Sequence, residues 1–318
     1  MGSCSGPEII HDVPPYIRVY KDGTVERLVA TETAPPGFDP QTGVTSKDVL
    51  INPTTGLTAR LYRPNLPATN NQRLPLVIYF HGGAFCIATA AEPKYHNIVN
   101  ILVAEAKVIG ISVNYRLVPE HPLPAAYEDS WEVIKWAVAG SDEWIRDDVD
   151  FGKLFLAGDS AGANISHHMA IRIGKSNPPE IGIQLKGILM IHPYFWGEKP
   201  VGIEIKDPFR KSMVDNWWKF VCPSNKGCDD PLINPFVNGL NCLENLACDR
   251  IIIFVAENDI LSERGRIYYE SLVNVRHWKG KAEIVETQGE DHIFHVFNPT
   301  TEKARHLIKR SALFLNQD

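Results

Sequence analysis

Six short, largely apolar runs recur along this chain, at 74–80, 108–113, 154–157, 185–191, 251–255 and 282–285. Runs of this kind have no wet face and predict strands covered on both sides. Between them, 94–105, 125–138, 161–173, 262–273 and 300–314 place apolar residues three and four apart, which predicts amphipathic helices. Strands that alternate with helices pair in parallel, because the crossover consumes a helix. The expected fold class is therefore α/β: a mostly parallel central sheet flanked by helices. Before the first run, two alternating segments at 46–52 and 57–62 flank Pro53-Thr54-Thr55-Gly56 and predict a hairpin. One stretch breaks the rhythm. Residues 195–246 hold Trp196, Trp217, Trp218 and Phe220 among many Pro, Gly and Asn residues, and predict a long irregular insertion that lids an apolar site. A sheet covered on both faces accommodates all 318 residues as one domain, with a cap drawn from about 1–40 and about 196–248.

The run at 154–157 leads into Gly158-Asp159-Ser160-Ala161-Gly162 and then a helix. Strand, sharp turn and helix around G-x-S-x-G lift a serine hydroxyl above the sheet, and the flanking glycines avoid a clash. Ser160 is the candidate nucleophile, and the helix N-terminus behind it suits a developing anion. The run at 74–80 ends at His81-Gly82-Gly83-Ala84-Phe85. Adjacent glycines after a strand expose amides to a carbonyl oxygen, so Gly82, Gly83 and Ala161 are the expected oxyanion donors, with His81 bracing the loop. Behind such an elbow the acid and base follow the serine in the chain. Asp259 stands just past 251–255 and is the chosen acid, with Glu257 in reserve. His292 follows the Gly289 turn after the last strand and is the chosen base, with His295 as the alternative. His167 and His168 ride the helix after Ser160 and are expected to be structural.

The charge pattern narrows the partners. Net charge is -6, and no Lys/Arg block exceeds two residues, which argues against nucleic acid and against an acidic membrane surface. No apolar run reaches the roughly 18 residues of a membrane span. Six cysteines at 4, 86, 222, 228, 242 and 248 form no C-x-x-C pair, and their C-x5-C spacings do not suit zinc. They read as reduced, mostly buried thiols. Residues 1–14 lack the basic and apolar regions of a signal peptide, and Gly6 stands where a myristoylation motif needs Ser or Thr. A cytoplasmic protein is expected.

Taken together, these motifs resemble the hormone-sensitive-lipase-like branch of the α/β-hydrolases, and within it the plant carboxylesterases. The resemblance runs over nearly the whole chain. It includes Tyr16-Ile17-Arg18-Val19-Tyr20-Lys21-Asp22-Gly23, the segment 81–85, Tyr115-Arg116-Leu117 with Pro119-Glu120-His121-Pro122-Leu123-Pro124, the elbow with Asn164, and the G-x-x-H-x-F pattern from Gly289 to Phe294. It implies the α/β-hydrolase fold, a cap, a Ser160–His292–Asp259 triad, a small-molecule ester substrate, and no metal or organic cofactor. Tyr194-Phe195-Trp196-Gly197 and 81–86 are similar to the 2-hydroxyisoflavanone dehydratases, some of which carry Thr at the elbow. Gibberellin-receptor relatives lose the base histidine, which is present here as His292. Two positions depart from the branch: Ala84 replaces the third glycine of H-G-G-G, and Ser262-Glu263 stands where Arg-Asp is common. Three functions follow in order: ester hydrolysis through an acyl-enzyme, dehydration of a 2-hydroxyisoflavanone-like metabolite, and non-catalytic reception of a small molecule.

Overall fold

The computed structural model describes residues 8–66, 73–176, 184–275 and 278–317. Residues 1–7, with Cys4 and the Gly6 position, and His277 lie outside them, as does the side chain of Cys242. In chain order, β1 (Ile9–Val13), β2 (Ile17–Tyr20) and β3 (Val25–Arg27) form a small antiparallel sheet that the periodicity had not shown. Then come β4 (Phe38–Asp39), β5 (Val44–Asn52), β6 (Leu57–Pro64), β7 (Leu74–Phe80), α1 (Pro93–Ala106), β8 (Ile109–Asn114), α2 (Ala125–Val138) and α3 (Glu143–Asp148). The remainder is β9 (Val149–Asp159), α4 (Ala161–Lys175), β10 (Leu185–Ile191), α5 (Ile203–Lys206), α6 (Pro208–Val221), β11 (Cys248–Ala256), α7 (Ser262–Asn274), β12 (Lys281–Thr287), α8 (Phe294–Phe297) and α9 (Glu302–Asn316).

Nine strands make the main sheet in the order β12-β11-β10-β9-β7-β8-β6-β5-β4. The six from β12 to β8 pair in parallel, and β6, β5 and β4 continue antiparallel through the expected hairpin. This is the α/β-hydrolase arrangement. Side chains alternate across each strand, so β7 feeds two cores at once. Leu76, Ile78 and Phe80 join the core under α2, α4 and α7, whereas Val77 and Tyr79 join the one under α1 and α9.

The insertion at 195–246 is not irregular throughout. It holds α6, a helix of 14 residues opened by Asp207, whose carboxylate accepts the Arg210 amide, with Pro208 at the first turn. Pro at that position costs no hydrogen bond and favours a start. Its adjacent tryptophans face different surroundings: Trp218 is wholly buried, while Trp217 is partly exposed. Among the described residues no helix is long and apolar enough to cross a membrane.

Candidate active site

The register of the parallel strands sets the site. Phe80 pairs with Gly158, Ile191 with Asp159, and Ala256 with Thr287, so the loops after β7, β9, β10, β11 and β12 leave the sheet side by side. Those loops carry residues 81–86, Ser160, His192, Asp259 and His292. Brought to one edge of a parallel sheet, they form the crevice in which such folds place ligands.

Between β9 and α4 the chain reverses at Ser160, which has φ 51° and ψ −116°. That conformation is strained for a residue with a side chain and persists only where its surroundings hold it. Here the Ser160 amide donates to the Ile191 carbonyl at 2.9 Å, and its carbonyl accepts the Tyr194 amide at 3.0 Å. A Cβ on Gly158 would lie 2.4 Å from the Gly162 carbonyl carbon, and one on Gly162 would lie 1.8 Å from the Phe80 carbonyl oxygen. Both flanking positions are therefore confined to glycine.

His292 Nε2 lies 3.0 Å from Ser160 Oγ, and His292 Nδ1 lies 2.8 Å from Asp259 Oδ2. Asp259 is completely buried, and its Oδ1 accepts the Leu261 amide at 2.9 Å. An ionised carboxylate only accepts, so it holds the ring proton on Nδ1 and leaves the Nε2 lone pair toward the hydroxyl. Burial disfavours the imidazolium, but the Asp259 charge and hydrogen bond, followed by Asp159 and Asp291, outweigh it and hold the His292 pKa above its ordinary value. Glu257, the reserve acid, is exposed and accepts the Gly289 amide at 2.7 Å instead. His295 is fully buried and has no hydrogen-bond partner for either ring nitrogen among the described residues. His167 bonds the Tyr268 hydroxyl and His168 the Leu232 carbonyl.

The loop after β7 corrects one expectation. The amide of Gly82 does not face the crevice as a free donor; it donates to Asp159 Oδ1 at 3.2 Å. Asp159 is fully buried at the elbow and also accepts the hydroxyls of Tyr79 at 2.7 Å and Tyr95 at 2.8 Å. Burial raises its pKa, and those hydroxyl donors pull it back. A Cβ on Gly82 would fall 2.3 Å from Asp159 Oδ2, so this glycine is required for the approach of the carboxylate. The amides of Gly83 and Ala84 have no acceptor among the described residues, and both residues have positive φ, 103° and 47°. His81 stacks on Tyr115 at 4.3 Å and pairs Nδ1 with the Gly82 carbonyl at 2.7 Å, bracing the loop from below. Position alone did not reveal the Asp159 cluster. Its available signal was Tyr79, the one hydroxyl in the otherwise apolar run 74–80, since a buried hydroxyl needs a partner.

His192 was also missed. It is buried with its ring 5.8 Å from that of His292, and its Nδ1 accepts the Ile293 amide at 2.8 Å. Donor atoms of His192, Asp259 and His292 lie within 4.8 Å of one another, near enough in principle for a cation. The His292–Asp259 contact is a 2.8 Å hydrogen bond, closer than two ligands on one zinc ion stand from each other, so the geometry matches a proton relay.

The insertion meets the site from above. Trp217 Nε1 donates to the Ala84 carbonyl at 3.3 Å, Tyr16 packs edge-on against Trp217 at 5.2 Å, and His11 lies 5.3 Å from Phe220. The small N-terminal sheet and α6 thus touch each other and the 81–86 loop.

Residues 77–296 match the family described as alpha/beta hydrolase fold. A probable carboxylesterase 2 of Arabidopsis thaliana is 56% identical over 303 residues, 95% of this chain and 95% of its own. A 2-hydroxyisoflavanone dehydratase of Glycyrrhiza echinata is 42% identical over 319 residues, 97% of this chain and 96% of its own. Among solved structures, a hyperthermophilic esterase of the archaeon Pyrobaculum calidifontis superposes with a TM-score of 0.71 at 26% identity, covering 85% of this chain and 84% of that one.

Proposed function

The chain belongs to the alpha/beta hydrolase fold family, and from that premise we propose that it is a carboxylesterase working through a Ser160–His292–Asp259 triad and an acyl-enzyme. The observation that carries the reading is the relay of 3.0 Å and 2.8 Å from Ser160 Oγ through His292 to Asp259. His292 Nε2 takes the hydroxyl proton as Oγ attacks the ester carbonyl. The imidazolium so formed is stabilised by the buried Asp259 carboxylate. The tetrahedral oxygen is received by the amides of Gly83, Ala84 and Ala161, with Gly82 holding the loop against Asp159 rather than donating to substrate. His292 then protonates the departing alcohol. Water, activated by the same imidazole, releases the acid and restores Ser160. No step calls for a metal or organic cofactor. Residues about 1–40 and about 196–248 act as the cap, and their aromatic residues favour small to medium acyl groups. The free thiols of Cys86, Cys222, Cys228 and Cys248 are in keeping with a reducing compartment such as the cytosol.

A second reading is favoured by the likeness to the dehydratase: elimination of water from a 2-hydroxyisoflavanone-like metabolite, with His292 as base and the same amides polarising a carbonyl. One experiment separates the two. Wild type and Ser160→Thr are assayed for ester hydrolysis and for dehydration, with a serine-directed phosphonate used to label the nucleophile. The β-methyl of Thr crowds the elbow and restricts χ1, so hydrolysis falls at least about tenfold while elimination is spared. An unlabelled Ser160 in an active protein would overturn the acyl-enzyme. Dehydration by neither protein would overturn the second reading.

A further inference from the structure

Arg210 lies in the first turn of α6, outside the triad, and its guanidinium reaches both loops that carry the acid and the base. Nη1 donates to the carbonyl of Asn258, the residue before Asp259, at 3.0 Å. Nη2 donates to Asp291 Oδ1 at 3.1 Å and Oδ2 at 3.4 Å. The same Oδ1 accepts the main-chain amide of His292 at 2.7 Å. Beneath Arg210, the two loops meet through the Asn258 amide on the Glu290 carbonyl, 2.9 Å, and the Gly289 amide on Glu257. We propose that Arg210 is a positioning residue for the acid–base pair, a clasp from α6 that sets the His292 main chain against Asp259. The inference rests on the reading of His292 as the base.

A guanidinium suits this task because its donors are fixed in one plane and can hold two acceptors at once. An ammonium is a point charge and cannot fix the angle between them. Because Arg210 belongs to the insertion, outward movement of α6 breaks the clasp, and alignment of the base then depends on how α6 is seated. An error of about 1 Å at a reacting group costs up to about a hundredfold in rate, so even a partial release is measurable.

Charge adds a second, independent signature. The groups facing His292 are Asp259, Asp159 and Asp291, which favour its protonated form, and the buried rings of His192 and His295. Around the same loops Glu290 pairs with Lys303, and Glu257 holds Gly289. Arg210 offsets Asp291. Without Arg210 the imidazolium is favoured more strongly, and the acid limb of kcat/KM moves to higher pH. Without the Asp291 charge it moves to lower pH.

The test is steady-state hydrolysis of a short p-nitrophenyl ester by the full chain across pH, for wild type, Arg210→Met, Arg210→Lys, Asp291→Asn and His292→Ala. Arg210→Met is expected to lower kcat about tenfold with KM within about threefold, and to raise the acid limb. Arg210→Lys keeps the limb where it is in wild type and recovers only part of kcat. Asp291→Asn lowers kcat and moves the limb the other way, and it serves should Arg210→Met fold poorly. Wild-type kcat and limb in Arg210→Met, or a rise in KM alone, overturns the clasp. Retained turnover in His292→Ala overturns the reading beneath it.

Discussion

At the elbow, position is set by the main chain. Gly158 and Gly162 admit no side chain, Ser160 is hydrogen-bonded through its own amide and carbonyl, and the last six residues of β9 that lead into it, 154–159, are all buried. Across the crevice, the insertion is held by side chains: on α6, Trp217 to the Ala84 carbonyl and Arg210 to the loops of Asp259 and His292, and beside it the buried Arg264–Glu204 pair, 2.7 Å, between α7 and α5. The outer surface of α6 leaves Phe209 and Met213 exposed. Ser160 sits where packing permits one geometry, and α6 hangs on contacts that substitution can retune.

That contrast makes graded predictions. Ser160→Ala and His292→Ala should each lower esterase kcat by about 10³ or more while the thermal transition stays in place. His295→Leu, which removes two buried ring nitrogens without partners among the described residues, should keep both activity and stability. Turnover near wild type in either of the first two, or a dead His295→Leu, would break the assignment of the relay. Gly162→Ala should behave differently again. Its Cβ meets a main-chain oxygen at 1.8 Å, so the fold itself should lose more than about 3 kcal/mol, read as a lowered denaturation midpoint. A normal midpoint would mean the elbow can yield.

Acid should attack the body through its histidines, since 196–248 contains none. Burial pushes His81 and His168 down to about 4 and His295 to about 3, and lowers His167 and His192 well below their ordinary value. The unfolded chain binds protons that the folded chain refuses. Their contribution is therefore complete above the ordinary pKa of about 6.5 and is lost as pH falls through the range from there toward about 4 and below. His292, whose pKa is raised, has the opposite sign: its contribution is present below its ordinary pKa and is lost as pH rises through the folded value. Urea midpoints at pH 7.5 and 4.5 should therefore fall with acid, and a flat profile would contradict neutral burial.

The smallest effect belongs to α6. Trp217→Ala loosens the contact over Ala84 and removes the edge-on Tyr16 contact. Wild type should prefer acyl chains of about C2 to C6 over C12, and the variant should relax that ratio several-fold with little change on the shortest ester. An unchanged profile would separate α6 from acyl selection.

Periodicity and local sterics carry information over a few residues, and what depends on them was legible in the chain alone. The hairpin, the six strands, the five long helices around them, the elbow glycines and the placing of Ser160, Asp259 and His292 after strand ends all belong here, although β12, expected to be covered on both faces, is an edge strand with no buried residue. Each follows from what neighbouring residues can do with their own backbone. Tertiary structure decided the rest. Gly82 meets Asp159 across 77 positions and Arg210 meets Asp291 across 81, so no local pattern marks either pair. Only the register of β7 against β9 brought the Gly82 amide onto Asp159, while the amides of Gly83 and Ala84 kept no acceptor among the described residues. Likewise α6 took shape within a stretch whose prolines and glycines read as loop, because Trp218 found a buried place between Phe85 and Tyr194. Burial against a partner distant in sequence is a property of the folded surface, and it overrides local propensity wherever the two disagree.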